Sequence, residues 1–133
     1  MTELSDAIYE RKVRISVRGA IRFARRREER KLLLGKPIVK VTITETQAIK
    51  MMEEHNYRCA LTGMKFYSLG GGGFGPSCPS LDRIKHAGPY SVGNLRVVLS
   101  GVNSLRGTGS DADMYAVAKA LNRKNRPSSV QRT

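Results

Sequence analysis

Cysteine is scarce in this chain of 133 residues: Cys59 and Cys78 are the only two. Two thiols cannot build a disulfide framework or a four-thiolate zinc site, so both are read as free. Acidic residues are also few, 11 Asp plus Glu against 24 Lys plus Arg, which leaves a formal net charge of +13. That excess opposes compaction by self-repulsion and attracts polyanions, so nucleic acid is the first expected partner and an anionic membrane surface the second. Long apolar runs are missing as well. The longest aliphatic stretches, Leu32 to Leu34 and Val97 to Leu99, fall far below the ~20 residues that span a bilayer. The opening Met1-Thr-Glu-Leu-Ser-Asp6 has neither the basic start nor the apolar stretch of a secretory signal, which makes the cytoplasm the expected location. No internal repeat of 20 to 50 residues is visible, and the length suits one domain with extensions.

The charge is unevenly placed. Residues 1–36 carry eleven basic and five acidic side chains, residues 37–121 nine and six, and residues 122–133 four and none. This divides the chain into a basic helical extension (1–36), a folded core (37–121) and a basic flexible tail (122–133). At 100° per residue Arg11, Arg14, Arg18, Arg22 and Arg25 share one helix stripe, while Val13, Val17, Ala20, Ile21 and Ala24 take the other side. The spacing predicts an amphipathic helix that stops at Gly35-Lys36-Pro37, with an arginine stripe suited to phosphate contact. Gly19 weakens it by about 1 kcal/mol relative to Ala. Thr44, with Gln47 three residues on, predicts a capped helix through about Glu54, with His55 at its C-cap. Gly70 to Gly75 reads as a flexible loop, without the Lys and Ser/Thr that a phosphate-cradling loop needs.

The segment from Cys59 to Gly107 carries the chemistry. Ser80 to Ile84 reads as a short strand, Ala87 to Asn94 as a loop, and Leu95 to Leu99 as a second strand, followed by a helix capped by Ser100. Phe66, Leu81, Ile84, Leu95, Val97, Leu99 and Val102 are the expected core, and Leu61-Thr62-Gly63 a turn with Gly63 at positive φ. This unit sets a carboxylate, Asp82, on the first strand, an amide, Asn94, in the loop, and a second amide, Asn103, on the helix. Eleven residues separate the first two and eight the last two. Taken singly, these residues have ordinary structural readings: Asp82 pairs with Arg83 or Arg96, and Gly93-Asn94 is a turn pair.

Four strings carry a likeness to a known family: Tyr57-Arg-Cys-Ala-Leu-Thr-Gly63, Pro79-Ser-Leu-Asp-Arg-Ile84, Gly93-Asn-Leu-Arg-Val-Val98 and Val102-Asn-Ser-Leu-Arg-Gly107. Together they resemble phage and bacterial HNH endonucleases over about residues 55–108. The resemblance implies a small ββα-metal core; with the Arg-rich helix before it and a helix expected near Asp111 to Leu121 after it, the expected fold is α+β. The resemblance also implies metal-dependent hydrolysis of duplex DNA. Asp82 matches the metal-binding carboxylate, Arg83 the position of the general-base His, Asn94 the middle position and Asn103 the last, also a metal ligand. Carboxylate and amide oxygens are hard ligands suited to Mg²⁺ or Mn²⁺. Arg83 departs from the pattern, because a guanidinium stays protonated and cannot act as a base. It is suited instead to clamping a phosphate. The base is then His86, which regular strand alternation puts on the side of Asp82, or a metal-activated water. Arg96 and Arg106 join the helix arginines as expected DNA contacts. The competing expectations are a DNA-binding protein on the same scaffold without hydrolysis, and a basic protein associated with RNA or the ribosome.

Overall fold

In a computed structural model, residues 3–67 and 75–125 are described, and among them the chain is α+β. Helix α1 (Glu3–Leu33) and helix α2 (Glu45–Glu54) precede strand β1 (Pro79–Arg83). A single 3-10 turn (Val92–Asn94) then leads into strand β2 (Leu95–Leu99), helix α3 (Ser100–Arg106) and helix α4 (Asp111–Asn125). The two strands form an antiparallel pair with Pro79 opposite Leu99 and Asp82 opposite Arg96. By internal contacts the chain divides into two compact units, residues 1–103 and 104–133. No helix among the described residues is long and apolar enough to cross a membrane.

Helix α1 belongs to the core of the first unit. Val13, Val17, Ile21 and Ala24, one helical face, are buried in the same cluster as Ala48 and Met52 of α2 and Leu95, Val97, Val98 and Leu99 of β2. The apolar spacing that predicts this face therefore also docks the helix, and Gly19 is tolerated at an exposed position with open space around it. The helix ends as its sequence suggests. Gly35 takes φ +69, and the Lys36 and Gly35 N–H groups donate to the Lys31 and Leu32 carbonyls; this is the paired-bond geometry of a glycine-terminated helix. Beyond it, the Val39 N–H donates to Glu28 Oε1 at 2.8 Å.

Helix α2 starts with the expected capping box: the Gln47 N–H donates to Thr44 Oγ1, and the Thr44 N–H donates to Gln47 Oε1. His55 is its C-cap. The chain then turns through Asn56 and Tyr57, both at φ 54. Left-handed backbone at a bulky residue is unfavourable, and Tyr57 is held by its surroundings. Its carbonyl accepts from the Tyr9 hydroxyl at 2.7 Å, and its own hydroxyl accepts from Arg14 at 3.0 Å. The Cys59–Gly63 turn, with Gly63 at φ +74, is fastened to β2: the Ala60 N–H donates to the Val97 carbonyl, and the Leu99 N–H to Cys59 Sγ. Cys59 is buried, and neither Cys59 nor Cys78 is in a disulfide.

Several sequence expectations need correction. Ser100 does not cap α3; it is the first helical residue, and its hydroxyl donates to the Gly75 carbonyl. Ile84 is not core, because β1 stops at Arg83 and leaves Ile84 at 45% exposure. Leu81 and Val102 are partly buried rather than central. In the second unit, Ser110 caps α4 through the Asp113 N–H, and α4 runs four residues past Leu121. The glycine run falls largely, and the end of the basic tail entirely, outside the described residues.

Candidate functional site

In an antiparallel ladder, residues directly opposite each other share a face, and successive residues alternate faces. Ser80 with Val98 and Asp82 with Arg96 therefore lie on one face of the pair, and Leu81 with Val97 and Arg83 with Leu95 on the other. Asp82 is 2% exposed. Its Oδ2 accepts from Arg96 Nε at 2.6 Å, a charge-assisted bond between two residues aligned by the ladder itself. Arg96 is consequently committed to Asp82 rather than free to meet a phosphate, and the ordinary structural reading of Asp82 is the one observed.

Helix α3 brings Asn103 to the same strand. Its Nδ2 donates to Ser80 Oγ at 2.8 Å and to the Leu81 carbonyl at 3.3 Å. Ser80 shares the face of Asp82, so the carboxamide is fixed beside that face. Its nitrogen is committed to β1, which leaves its oxygen as the atom with ligand character. The strand, loop, strand and helix thus bring Asp82 and Asn103 to one region, with Ser80 between them as an anchor that the sequence pattern did not flag.

Asn94 fastens the loop. Its Oδ1 accepts from the Lys85 N–H at 2.8 Å, while Nδ2 donates to the Lys85 and Pro89 carbonyls at 3.1 and 2.9 Å. Gly88 packs so closely on this amide that an added Cβ would stand 2.6 Å from Nδ2. Arg83 also serves the loop. Its Nη1 donates to the Gly88 carbonyl at 3.1 Å, and its guanidinium lies over the Tyr90 ring at 4.7 Å. By strand alternation it is on the face opposite Asp82. His86 sits in the exposed turn after β1, so the alternation that would align it with Asp82 ends before reaching it.

Tyr90 is the organising residue that sequence reasoning missed. It is buried, its N–H donates to the Lys40 carbonyl, and its carbonyl accepts from Thr42 and Ile43. Its hydroxyl accepts from Arg27. The available signal was an aromatic just after Gly88-Pro89, inside a loop otherwise made of small and polar residues.

The arginine stripe of α1 is largely consumed by the fold. Arg14 donates to the Tyr57 hydroxyl, Arg18 pairs with Glu45 at 3.2 Å, and Arg25 donates to the Ile43 carbonyl at 2.9 Å. These positions border the buried face and so reach neighbouring elements; Arg11 and Arg22 are exposed. Arg106, within the second unit, is buried and pairs with Asp111 at 3.1 Å, which removes it as an evident phosphate contact.

Among the described residues no three His, Cys, Asp or Glu side chains gather into a metal-ligating group. The Asp82 and Asn103 oxygens still have the hard-donor chemistry of a magnesium site with few protein ligands and many waters. That donor set fits a divalent ion provided the ion's charge replaces that of Arg96 at Oδ2. No family model, no curated protein and no solved structure matches this chain.

Proposed function

We propose that this protein is a metal-dependent endonuclease acting on duplex DNA, with Asp82 and Asn103 holding Mg²⁺ or Mn²⁺ in an HNH-like ββα core. The observation that supports it most is Asn103 anchored on Ser80 and Leu81, the two residues that precede the buried Asp82 on β1. A divalent ion bound there would supply stabilisation of the charge that builds on the scissile phosphate. The protein's own residues do the rest. Ser80 orients the Asn103 amide, Asn94 holds the loop between the strands in one shape, and Arg96 holds the Asp82 carboxylate in place through Oδ2. The net charge of +13 favours a polyanionic substrate.

A second reading is a DNA-binding protein on the same scaffold without hydrolysis. Two observations favour it: Arg83 stands where the family's base is expected and is spent on Gly88 and Tyr90, and Arg96 occupies the Asp82 carboxylate. Plasmid relaxation with Mg²⁺ or Mn²⁺ separates the readings. The nuclease nicks or linearises the plasmid, chelation stops it, and Asp82→Ala and Asn103→Ala abolish it while DNA binding persists. Cleavage in EDTA, or at the wild-type rate in Asp82→Ala, overturns the metal assignment. DNA binding without cleavage selects the second reading.

A further inference from the structure

Once Arg14, Arg18 and Arg25 are assigned to internal partners, the exposed cations of α1 that remain without one define a face turned further round the helix from the arginine stripe of the sequence pattern, sharing only Arg11 and Arg22 with it. Arg11, Lys12, Arg22, Arg26 and Arg30 are all exposed, and none makes an ion pair or side-chain hydrogen bond among the described residues. At 100° per residue they fall within about 100° of arc, turned away from the buried Val13, Val17, Ile21 and Ala24 face. From Arg11 to Arg30 the face runs about 28 Å, and Arg22, Arg26 and Arg30 succeed one another at about 6 Å intervals. Glu29 is the one carboxylate on it among the described residues. Long side chains of one sign on the solvent face of a helix that is already docked cost the fold little to present. Among the described residues they have no structural partner that explains them.

We propose that this outer face of α1, centred on Arg22, Arg26 and Arg30, is the surface on which duplex DNA lies, through its phosphate backbone. The choice of duplex DNA rests on the function proposed above; the face itself rests on the burial and pairing of the helix. A second copy of the chain is a poor occupant, because it would bring a face of the same sign against this one. Backbone contacts of this kind carry no sequence information, so binding is indifferent to sequence and steep in salt.

The test uses the full chain and a labelled 30-base-pair duplex, with anisotropy read over a series of NaCl concentrations in EDTA, so that cleavage plays no part. Replacing Arg22, Arg26 and Arg30 together by Ala is expected to weaken binding at least tenfold. It should reduce the slope of log affinity against log salt by about 2 to 3, one unit for each lost phosphate contact. Helix content and Tm should stay unchanged. Replacing Arg14, Arg18 and Arg25 is expected to lower Tm and leave the slope near the wild-type value. The single charge reversal Arg26→Glu is expected to weaken binding by itself without loss of Tm. An unchanged slope in the outer triple variant, or loss of the slope in a folded inner triple variant, overturns the proposal. Preference for a matched RNA duplex with the same residue dependence overturns its assignment to DNA. A binding loss confined to the outer variant, in a protein whose wild type does not cleave, keeps this surface and rejects the nuclease.

Discussion

Asp82 and Arg96 face each other directly across the β1–β2 ladder, and Arg96 Nε stands 2.6 Å from Asp82 Oδ2. The carboxylate is almost completely removed from water, while its partner keeps 13% side-chain exposure. A buried charge of this kind depends on its counter-ion, because a lone carboxylate in the interior is far costlier than a paired one. Arg96→Ala is therefore expected to cost about 3 to 5 kcal/mol of stability. Arg96→Lys, which keeps the charge and loses the guanidinium geometry, should cost less. Urea unfolding of the two variants checks the order. If the Asp82 site takes a divalent ion, added Mn²⁺ should recover part of the stability lost in Arg96→Ala and none in Asp82→Asn.

The position of Arg83 yields a second expectation. Its guanidinium braces the loop at Gly88 and Tyr90, so Arg83→Ala is expected to loosen residues 84–90 and raise hydrogen exchange there. Residue 83 lies on the face opposite Asp82, so Arg83→His sets its imidazole away from that carboxylate and is expected to cleave plasmid no faster than Arg83→Lys. A faster rate in the His variant alone would show that a proton acceptor at this position does reach the reaction.

His86 lies in an exposed turn beyond the end of β1, away from the strand alternation that would align it with Asp82. His86→Ala is expected to change the cleavage rate by less than about twofold and to leave its pH profile intact. A drop of about 10² to 10⁴, the range for loss of a general base, would instead make His86 that base.

The Asn94 amide and Gly88 form one packed unit. Asn94→Ala removes three hydrogen bonds and strands the Lys85 N–H, an expected loss of about 1 to 3 kcal/mol. Gly88→Ala pushes a methyl against the same amide and is expected to cost about 1 to 3 kcal/mol. Because both changes damage one contact, the double variant should lose less than the sum of the two, read by thermal or urea unfolding.

Glu28 supplies a pH dependence. Burial pushes its carboxyl up, but the hydrogen bond from Val39 and the neighbouring Lys31 and Arg27 outweigh that and hold it below the usual glutamate value. A carboxyl depressed on folding adds stability above its unfolded value, about 4.3, and that contribution is lost as the pH falls through the folded value. Glu28→Gln is expected to be less stable than wild type at pH 7, and the difference should shrink by pH 3. A constant difference at both values would show that the charge of Glu28 is not what matters.

Local rules made the elements legible in the sequence. The glycine that ends α1, the Thr44–Gln47 box that starts α2, the positive φ of Gly63 and the β2 apolar run each depend on residues within a few positions of one another. The apolar face of α1 was equally plain from its period. The sequence pattern also brought Asp82, Asn94 and Asn103 into one unit, since strand, loop, strand and helix in so short a stretch leave few other arrangements. What only the tertiary structure decided is which charges are spent. Arg14, Arg18 and Arg25 look identical to Arg22 and Arg26 along the chain, but they border the buried face and find Tyr57, Glu45 and the Ile43 carbonyl within reach. Arg96 is tied to Asp82 only because the register of two strands, set by the whole loop between them, puts those two residues opposite each other. A side chain's charge is a property of the sequence; the partner that neutralises it comes from elements distant in the chain, so its availability to a ligand is settled only when the chain has packed.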